Sequence, residues 1–372
     1  MANQYVPDFE SVQQDTTLPE GATEEVLESY FTDTMLSGYR AVTIADTVIP
    51  GNDIDPYDRD ADERLRTLVV RFPRPILSEI NTHRVFSRNS ASSRARSMKT
   101  TLREVMEEPY IPLFTKNQRG MSGVYLTKKE RAEAVEEWLV ARDAAVFSVL
   151  NLLLKGSGKE LNAAQAHSLR DNYLDYVDMY HQMYLDKDTS MLSPHKQNTN
   201  RLLEPFMWHE AIITADKWQN FLDLRDHDAA QPEIRAIAVL MREALDKSTP
   251  VESTIHTPFA GTLSAKETQD IRFDDFWKKH NDTFMTSSGN SARVSYVSKI
   301  DGSSRDSVQL GYRLLEEKHL SPFEHAAISK EAFIRMWQEY TDTPLHVKEL
   351  QDNFSDSWVQ YRTLLDKVTE VL

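Results

Sequence analysis

The longest regular pattern in the sequence is helical and covers residues 127–155. Apolar side chains recur there at spacings of three and four residues, which predicts one long amphipathic helix ended by the Gly-Ser-Gly at 156–158. A second helix is predicted over 162–185, where a stripe of aromatic and apolar residues is typical of core packing. Residues 64–72 instead have a strand-like pattern, which Pro73 ends. The chain therefore combines long helices with sheet.

Weaker patterns divide the rest of the chain. Residues 1–60 are acidic and rich in Asp, Thr and Pro, which predicts an N-terminal arm outside the core, with one short helix over 24–36. Residues 247–262 are predicted as a polar linker. Further helices are predicted at 76–80, around Trp218 to Leu224, from about Pro232, over 304–318, and in the apolar C-terminal segment from Trp358 onward.

The composition excludes several classes of protein. With 372 residues, 40% hydrophobic and 27% charged, the chain can form one large domain or two smaller ones. It has no apolar run of about 18 residues and no signal-peptide pattern, so we expect a soluble, cytoplasmic protein without a membrane span. A net charge of -15 argues against binding along nucleic acid. Because there is no cysteine, disulfides, thiolate metal ligands and a cysteine nucleophile are excluded.

Residues 82–96 stand out because four arginines, four serines and one histidine lie within fifteen residues of an acidic chain. Guanidinium groups and hydroxyls together match the oxygens of a phosphate, which favours an anion pocket on a loop; the alternative is a solvated basic loop. Arg201 and Arg225 lie beside apolar residues at segment boundaries, and each needs either a carboxylate or an anionic ligand as partner. A small phosphorylated ligand such as a mononucleotide fits this pattern.

A metal site is the competing interpretation for the block at 319–325. His319, Glu324 and His325 lie close together, but the spacing matches no zinc motif, and the missing ligands would have to come from 226–228. We therefore predict no metal site. Two functions of other classes stay open: a metal-dependent phosphohydrolase and a non-catalytic nucleotide-binding protein.

Several blocks together resemble one enzyme family. His83-Arg84, seven residues, then Ser92 resembles the signature of the flavin-dependent thymidylate synthases, and the segments at 200–205 and 220–234 are similar to two further motifs of that family. Residues 292–296 and 321–325 resemble two more. In the usual family order these last two blocks precede the signature, so the chain resembles a circularly permuted member, an arrangement that proteins with neighbouring termini tolerate.

The resemblance implies an α+β fold with a mixed sheet and long helices, usually assembled as a homotetramer with sites at subunit contacts. It implies methylation of dUMP to dTMP with FAD, methylenetetrahydrofolate and NADPH. The absence of cysteine agrees, because the other thymidylate synthase class needs a thiolate nucleophile. The domains expected are an arm at 1–60, a permuted catalytic domain at 61–340 with a helical insertion at about 103–190, and a helical segment at 341–372.

The resemblance also assigns residues by position. Arg225 would be catalytic, because it would stabilise negative charge on the pyrimidine. The residues at nucleotide-binding positions are Glu79, Ser90, Ser92, Ser93, Arg94, Arg201 and Arg225. The residues at flavin-binding positions are Thr82, His83, Arg84, Asn220, Leu224, Ser295, His319, Ser321 and Glu324.

Four positions depart from the family pattern. Thr82 replaces an arginine, Ser90 a glutamate, Glu79 a glutamine and Ala229 a histidine. An ionised glutamate only accepts hydrogen bonds, whereas an amide also donates them, so Glu79 changes the base edge that the site can recognise. Methylation of dUMP is therefore the leading expectation, with alkylation or hydroxymethylation of another pyrimidine deoxynucleotide such as dCMP as the variant.

Overall fold

The computed structural model describes residues 38–52, 54–55, 58–91, 96–121, 123–261, 263, 272–296 and 304–369. These residues form an α+β structure with a mixed sheet, as expected. None of their helices is both long enough and apolar enough to span a membrane.

The described strands form two sheets. In the larger sheet the strand order is β3-β4-β2-β1-β5, and all neighbours are antiparallel except the parallel pair β1 and β5. In the smaller sheet the order is β6-β7-β8. The strands are β1 (Arg40–Val48), β2 (Arg64–Pro73), β3 (Ser87–Ser90), β4 (Trp208–Ala215), β5 (Val251–Glu252), β6 (Ile255–His256), β7 (Ala327–Ser329) and β8 (Trp358–Gln360).

Strand β1 corrects the prediction that residues 1–60 form an arm outside the core. It pairs with β2 along its length, and its Asp46 forms a buried ion pair with Arg64 through hydrogen bonds of 2.9 and 2.7 Å. The β-branched residues of this strand suit a sheet, but the acidic composition of the segment as a whole conceals them. The helix predicted at 24–36 lies outside the described residues.

The helices are α1 (Leu77–Ile80), α2 (Met98–Glu107), α3 (Lys128–Leu154), α4 (Ala163–His167), α5 (Leu169–Leu185), α6 (Lys196–Arg201), α7 (Gln219–Arg225), α8 (Pro232–Lys247), α9 (Phe273–Tyr296), α10 (Ser304–Glu316), α11 (Lys330–Tyr340) and α12 (Tyr361–Thr369). The predicted strand at 64–72 and the helices at 76–80, 127–155 and 304–318 are confirmed to within a few residues.

Helix α3 begins and ends where its sequence specifies. Thr127 and Glu130 form a capping box at its start, each satisfying a backbone N–H of the other. After its end, Gly156 has a φ of +89° and approaches the carbonyl of Ser190 so closely that a side chain would not fit. The helix predicted over 162–185 is interrupted at Ser168, so that α4 and α5 are separate.

Helices α2, α3, α5 and α6 pack around a core of their own. The predicted stripe on α5 is buried at Val177, Tyr180 and Met183, which lie in one apolar cluster with Val149 and Leu153 of α3. The prediction of core packing is confirmed for these residues.

Helix α8 covers β1 and β2 of the larger sheet. Its residues Ile234, Ile237, Met241 and Leu245 are fully buried, and they share an apolar cluster with strand residues such as Leu68. The predicted buried face of this helix is confirmed, and Pro232 occupies the first turn, where no backbone N–H is needed.

Two segments differ from their predictions. Strand β4, in the interior of the larger sheet, was not predicted, because its apolar run is short and lies between two helix-like segments. The predicted polar linker at 247–262 contains β5 and β6, and its Ser253, Ile255 and His256 are buried. Two-residue strands are too short to show a period of two in sequence.

The C-terminal segment also contains a strand. Residues Trp358–Gln360 form β8, and the helix predicted there begins at Tyr361 as α12. Tyr361, Leu364 and Leu365 are buried in the core shared with α9 and α11, so the predicted packing role is confirmed.

A chain of buried hydrogen bonds joins the two sheets. His256 on β6 contacts Thr47 at 2.8 Å through Nδ1 and Thr67 at 2.7 Å through Nε2. The Thr67 hydroxyl lies 2.7 Å from that of Thr214, which lies 2.9 Å from His325 Nδ1. Burial lowers the pKa of both His256 and His325 to about 3, so both imidazoles are neutral at physiological pH.

Candidate functional site

Three of the predicted site residues meet where α7 ends. Arg225, the last residue of α7, donates from Nη1 to the Glu79 carboxylate at 3.1 Å and from Nε to His83 Nε2 at 3.3 Å. The Arg225 and Glu79 side chains are 16% and 26% exposed, so the ion pair is partly shielded from water but still reachable. We call Glu79, His83 and Arg225 the arginine cluster.

The chain after α1 presents Glu79 and His83 on the same side. Backbone hydrogen bonds from Asn81, Thr82 and His83 to carbonyls three or four residues earlier continue the coil beyond the helix. Residues four apart in such a coil are neighbours. Arg88 then donates from Nη1 to the carbonyls of Ile80 and His83 at 3.0 Å each, which holds this turn in place.

His83 is a neutral hydrogen-bond acceptor for Arg225. Burial, followed by the positive charges of Arg225 and Arg88, lowers its pKa to about 4. The ring packs edge-on against Phe221 at 4.9 Å between centroids. Because the Arg225 Nε–H points at Nε2, the imidazole proton belongs on Nδ1. Two of the three guanidinium nitrogens are thus held by protein, which fixes the plane of the group.

The blocks that lie far apart in sequence are neighbours in space. Strand β3 contacts both α9 and the 3-10 helix Ser321–Glu324, and Asn89 donates to the carbonyl of Ser291 at 3.2 Å. Burial raises the pKa of the Glu324 carboxyl, and the nearby charges of Arg362 and Arg88 oppose that rise. Asn89 and Ser291 are 202 residues apart in the chain, and the 3-10 helix lies still further from β3 in sequence, yet these segments are in contact.

Two arginines of this surface were missed as site residues. Arg362 on α12 forms an ion pair with Glu324. Arg88, within the basic stretch, holds the turn between Ile80 and His83. No spacing rule marks Arg362, because its segment shows only a packing pattern, whereas Arg88 could have been singled out from the cluster of arginines around it.

Other flavin-binding candidates lie at the surface near these segments. Thr82 is exposed and its hydroxyl donates to the Glu79 carbonyl at 2.6 Å, and Arg84 is exposed on the next turn. Asn220 and Leu224 are exposed on α7. Ser295 lies in the last turn of α9, and its side chain lies outside the described residues.

His319 and Ser321 are also exposed, at the 3-10 helix or just before it. Its ring lies 3.6 Å from the Glu317 carboxylate, and its backbone N–H donates to the Leu314 carbonyl at 2.8 Å, so both of these contacts of His319 are outside the arginine cluster. Asp226 and Asp228, the carboxylates considered for a metal, are each ion-paired with an arginine, Asp228 with Arg235 at 2.7 Å. Within the described ranges, no group of three or more His, Asp or Glu side chains is placed to hold a metal ion.

The structure describes only some of the predicted phosphate-binding residues. Ser92, Ser93 and Arg94 lie outside the described residues. Ser90 ends β3, where it pairs with Ala211 of β4, so part of the basic stretch is strand and not loop as predicted. Arg201 is exposed at the end of α6. On the far side of 92–95, Arg96 is buried and pairs with Glu104 at 2.6 Å.

Comparison with known proteins identifies the family. The sequence model of the family described as thymidylate synthase complementing protein matches residues 65–251, half of the chain. The chain belongs to this family, the flavin-dependent thymidylate synthases. Glu79, His83, Arg201 and Arg225 all lie within the matched residues, and the membership supports an enzyme that methylates a nucleotide.

No curated protein matches the chain. Two solved structures of a UMP/dUMP methylase, PolB from Streptomyces cacaoi, are similar to it. The structure bound with 5-Br UMP is 14% identical, covers 57% of this chain and 96% of that chain, and has a TM-score of 0.34. The structure bound with 5-Br dUMP is 13% identical, covers 55% and 87%, and has a TM-score of 0.33.

The cofactor of the flavin-dependent family can be tested against the residues present. A flavin dinucleotide needs donors for its phosphates and ring carbonyls, and an accessible surface because of its size. Arg84, Asn220 and Ser321 supply an exposed guanidinium, amide and hydroxyl: Arg84 follows His83 in the chain, Asn220 lies on α7 with Arg225, and Ser321 lies in the 3-10 helix that contacts β3. This set of donors fits FAD.

Proposed function

We propose that this protein transfers a one-carbon unit from methylenetetrahydrofolate to C5 of dUMP, producing dTMP, with FAD as cofactor and NADPH as reductant. The observation that carries the proposal is the arginine cluster, in which a guanidinium oriented by a neutral histidine lies in a partly shielded site. Membership of the flavin-dependent family supports the reaction class.

The proposed reaction replaces the hydrogen on C5 of the pyrimidine with a methyl group. A bond forms between C5 and the transferred carbon, both bonds from that carbon to the two folate nitrogens break, and the C5 proton leaves the pyrimidine. When bound, reduced FAD supplies the hydride that completes the methyl group, and NADPH restores the reduced cofactor. No protein thiol takes part, in agreement with a chain that has no cysteine.

The proposed role of Arg225 follows from its charge and its orientation. Negative charge develops on the pyrimidine ring as C5 becomes nucleophilic, and a fixed guanidinium stabilises that charge without rearranging. His83 contributes by accepting the Nε–H, which it can do only while neutral. Its lowered pKa therefore keeps Arg225 oriented throughout the physiological pH range.

The remaining residues take the roles that their positions imply. Ser92, Ser93, Arg94 and Arg201 would bind the nucleotide phosphate, with Ser90 beside them. The flavin would be held by Thr82, His83, Arg84, Asn220, Leu224, Ser295, His319, Ser321 and Glu324. We further propose a homotetramer with sites at subunit contacts, which membership of the family supports.

A cytosine nucleotide is the second candidate substrate, and the contact between Glu79 and Arg225 favours it. Together they offer a base both kinds of partner, since the Glu79 carboxylate accepts hydrogen bonds and the Arg225 guanidinium donates them. The pairing edge of cytosine has a donor amino group next to acceptor atoms, and a carboxylate accepts well from that amino group. The partial neutralisation of Arg225 by Glu79 also makes it a weaker partner for an anionic uracil ring. Alkylation or hydroxymethylation of dCMP would then be the reaction.

Two measurements test the proposal. The purified protein, mixed with FAD and separated from free cofactor, should show the visible absorbance of bound flavin. With methylenetetrahydrofolate and NADPH it should release tritium from 5-tritiated dUMP, whereas release from 5-tritiated dCMP alone would select the second candidate. Absence of both bound flavin and tritium release would overturn the proposal. Nucleotide binding without release would indicate a non-catalytic homologue, and metal-dependent phosphate release would indicate a phosphohydrolase.

A further inference from the structure

Arg88 connects strand β3 to the turn that carries His83. It lies on β3 opposite Ile213 of β4, and it is half-buried. Its Nη1 donates to the carbonyl of Ile80 and to that of His83, at 3.0 Å each. An Nη atom carries two N–H groups, so each carbonyl receives a hydrogen of its own. One end of the arginine is therefore fixed in the sheet, and the other bonds the main chain of the turn.

The two carbonyls close the coil that continues α1. The Ile80 carbonyl also accepts from the His83 N–H at 3.3 Å, and the His83 carbonyl from the Phe86 N–H at 3.2 Å. These backbone bonds are at the long end of the range for N–H donors, so they are weak. Hydrogen bonds from a charged donor are about twice as strong as neutral ones. Arg88 therefore contributes a large part of what holds the main chain of His83 in place.

The position of His83 in turn sets the orientation of Arg225. The imidazole packs against two rings, with centroid distances of 5.8 Å to Phe86 and 4.9 Å to Phe221. Its Nε2 accepts the Arg225 Nε–H at 3.3 Å, which is again a long hydrogen bond. A small displacement of the turn breaks a bond of this length. The contacts thus run in series from Arg88, through the main chain and ring of His83, to Arg225.

The charge of Arg88 acts on the same histidine. The charged groups that face this imidazole are Arg88 from β3, Arg225 from α7 and Glu79 from α1, whose carboxylate is bonded to Arg225. Burial, followed by the charges of Arg225 and Arg88, lowers the pKa of His83 to about 4. Arg88 itself keeps its proton, because the nearby Glu324 carboxylate opposes the lowering of its pKa by burial. Both guanidinium charges therefore disfavour a further positive charge on the imidazole.

We propose that Arg88 is a positioning residue for Arg225: it fixes the turn that carries His83, and its charge keeps the imidazole in the neutral form that accepts from Arg225. Arg88 would not touch the substrate itself. The consequence for catalysis rests on the proposed function, in which Arg225 stabilises charge on the pyrimidine. The effect on His83 does not rest on it, because it is a property of the protein alone.

NMR titration of His83 tests the inference on the protein without cofactor or substrate. The imidazole signals are followed from about pH 8 to about pH 4, and those of His83 are identified by their absence from His83→Gln. Arg88→Met should raise the pKa of His83 from about 4 by about one pH unit, because it removes a like charge. Arg88→Gln, which keeps a donor without a charge, should act like Arg88→Met. Arg88→Lys keeps the charge and should leave the pKa near that of the unsubstituted protein.

Tritium release then tests the consequence for Arg225. Because Arg225 would stabilise charge that develops only in the transition state, loss of its orientation lowers kcat and leaves KM nearly unchanged. We expect kcat of Arg88→Met to fall about tenfold at neutral pH, and that of Arg88→Lys to fall less. The acid side of the kcat profile should also move to higher pH in Arg88→Met, by the same amount as the pKa of His83.

Arg71→Met is the matched control. Arg71 lies on β2 of the same sheet, donates to the Gly38 carbonyl at 3.2 Å and pairs with Glu108 at 2.8 Å. Its side chain is 13% exposed, so this change also removes a shielded arginine that bonds the main chain. It should lower stability without moving the pKa of His83 or kcat, because these bonds are to segments other than the turn of His83.

The inference is supported if the pKa of His83 rises in Arg88→Met and Arg88→Gln but not in Arg88→Lys or Arg71→Met, and kcat falls as expected. It is overturned by an unchanged pKa in Arg88→Met, by an equal rise in Arg88→Lys or Arg71→Met, or by a raised pKa with kcat unchanged. If Arg88→Met folds poorly, the contrast between Arg88→Gln and Arg88→Lys decides. If the unsubstituted protein releases no tritium from either nucleotide, the proposed function fails, and the pKa of His83 alone decides the inference.

Discussion

Burial is the main cause of a lowered pKa at His83 and at the pair His256 and His325, yet the partners of these histidines and their access to solvent differ. His83 in the arginine cluster contacts the charged Arg225, and its chain neighbours Thr82 and Arg84 are exposed. His256 and His325 are fully buried and contact only threonine hydroxyls in the hydrogen bonds that join the sheets.

The difference shows that a lowered histidine pKa is not by itself a sign of function. Burial lowers the pKa of a histidine in a sealed core as well as in a binding site, because it disfavours the charged form in both. What distinguishes the arginine cluster is a charged partner together with access from solvent. We therefore expect substitutions in the arginine cluster to change activity and substitutions in the buried chain to change stability.

The largest expected effect is that of Arg225→Gln on activity. Removal of one group that stabilises charge in the transition state typically lowers kcat by about 10² to 10³, and we expect a loss in this range in tritium release. The melting temperature should also fall, because the change removes a shielded ion pair with Glu79 and a hydrogen bond to His83, so kcat is measured on the folded protein. Arg235→Gln, which removes a surface pair with Asp228, is the control and should keep full activity.

Thr67→Val should have the opposite profile. The Thr67 hydroxyl has two buried partners, His256 and Thr214, and the isosteric valine leaves both with a lost hydrogen bond. We expect a loss of about 2 kcal/mol in the free energy of unfolding, measured in urea, with kcat of the folded protein unchanged. Thr43→Val, which removes one partly buried bond to the Ala244 carbonyl, should cost less. A large fall in kcat would show that the buried hydrogen bonds affect the site as well as the stability.

The buried histidines also predict how stability depends on pH. The folded pKa of His325, about 3, lies below its unfolded value near 6.5, so the unfolded state takes up the proton first. Stability is therefore full above about pH 6.5 and falls as the pH is lowered toward 3, by about 1.4 kcal/mol per unit for each such histidine. His325→Asn keeps a partner for Thr214 but cannot titrate, so its unfolding free energy should fall less steeply between pH 6 and 4. Equal slopes would contradict the assignment of a buried neutral imidazole.

The smallest expected effect concerns the choice of base. Glu79→Gln removes the charge that opposes Arg225 and restores a donor, so we expect the ratio of kcat/KM for dUMP to that for dCMP to rise about tenfold. Glu243→Gln, a surface change on α8 that removes a pair with Lys247, should leave the ratio unchanged. A ratio that Glu79→Gln does not move would show that Glu79 has no part in recognising the base.

Local periodicity was enough to predict several elements. Strand β2 and helices α3, α8 and α10 were found because each has a long run of one period. Strand β4 was missed because a short apolar run between helix-like segments is ambiguous, and β1 because its neighbours dominate the composition of its segment. Strands β5 and β6 have too few residues to show any period.

The arginine cluster was anticipated only through motifs. Arg225, Glu79 and His83 were named as site residues before the structure placed them in contact. The sequence did not identify Arg362 as the partner of Glu324, or Arg74 as the partner of Ala91 and Glu204. Neither arginine belongs to a motif, and each contacts residues that lie elsewhere in the chain.

By itself the sequence determined the long helices, strand β2, the absence of any thiol chemistry and the residue types available for binding an anion. Periodicity indicates which face of a helix or strand is buried, and composition indicates which chemical groups its side chains supply. Only the tertiary structure decided which faces meet, because a buried face does not specify its partner. That is why β3 lies beside blocks more than two hundred residues later, why one buried histidine contacts an arginine and two others contact threonines, and why Arg74 contacts both Ala91 and Glu204.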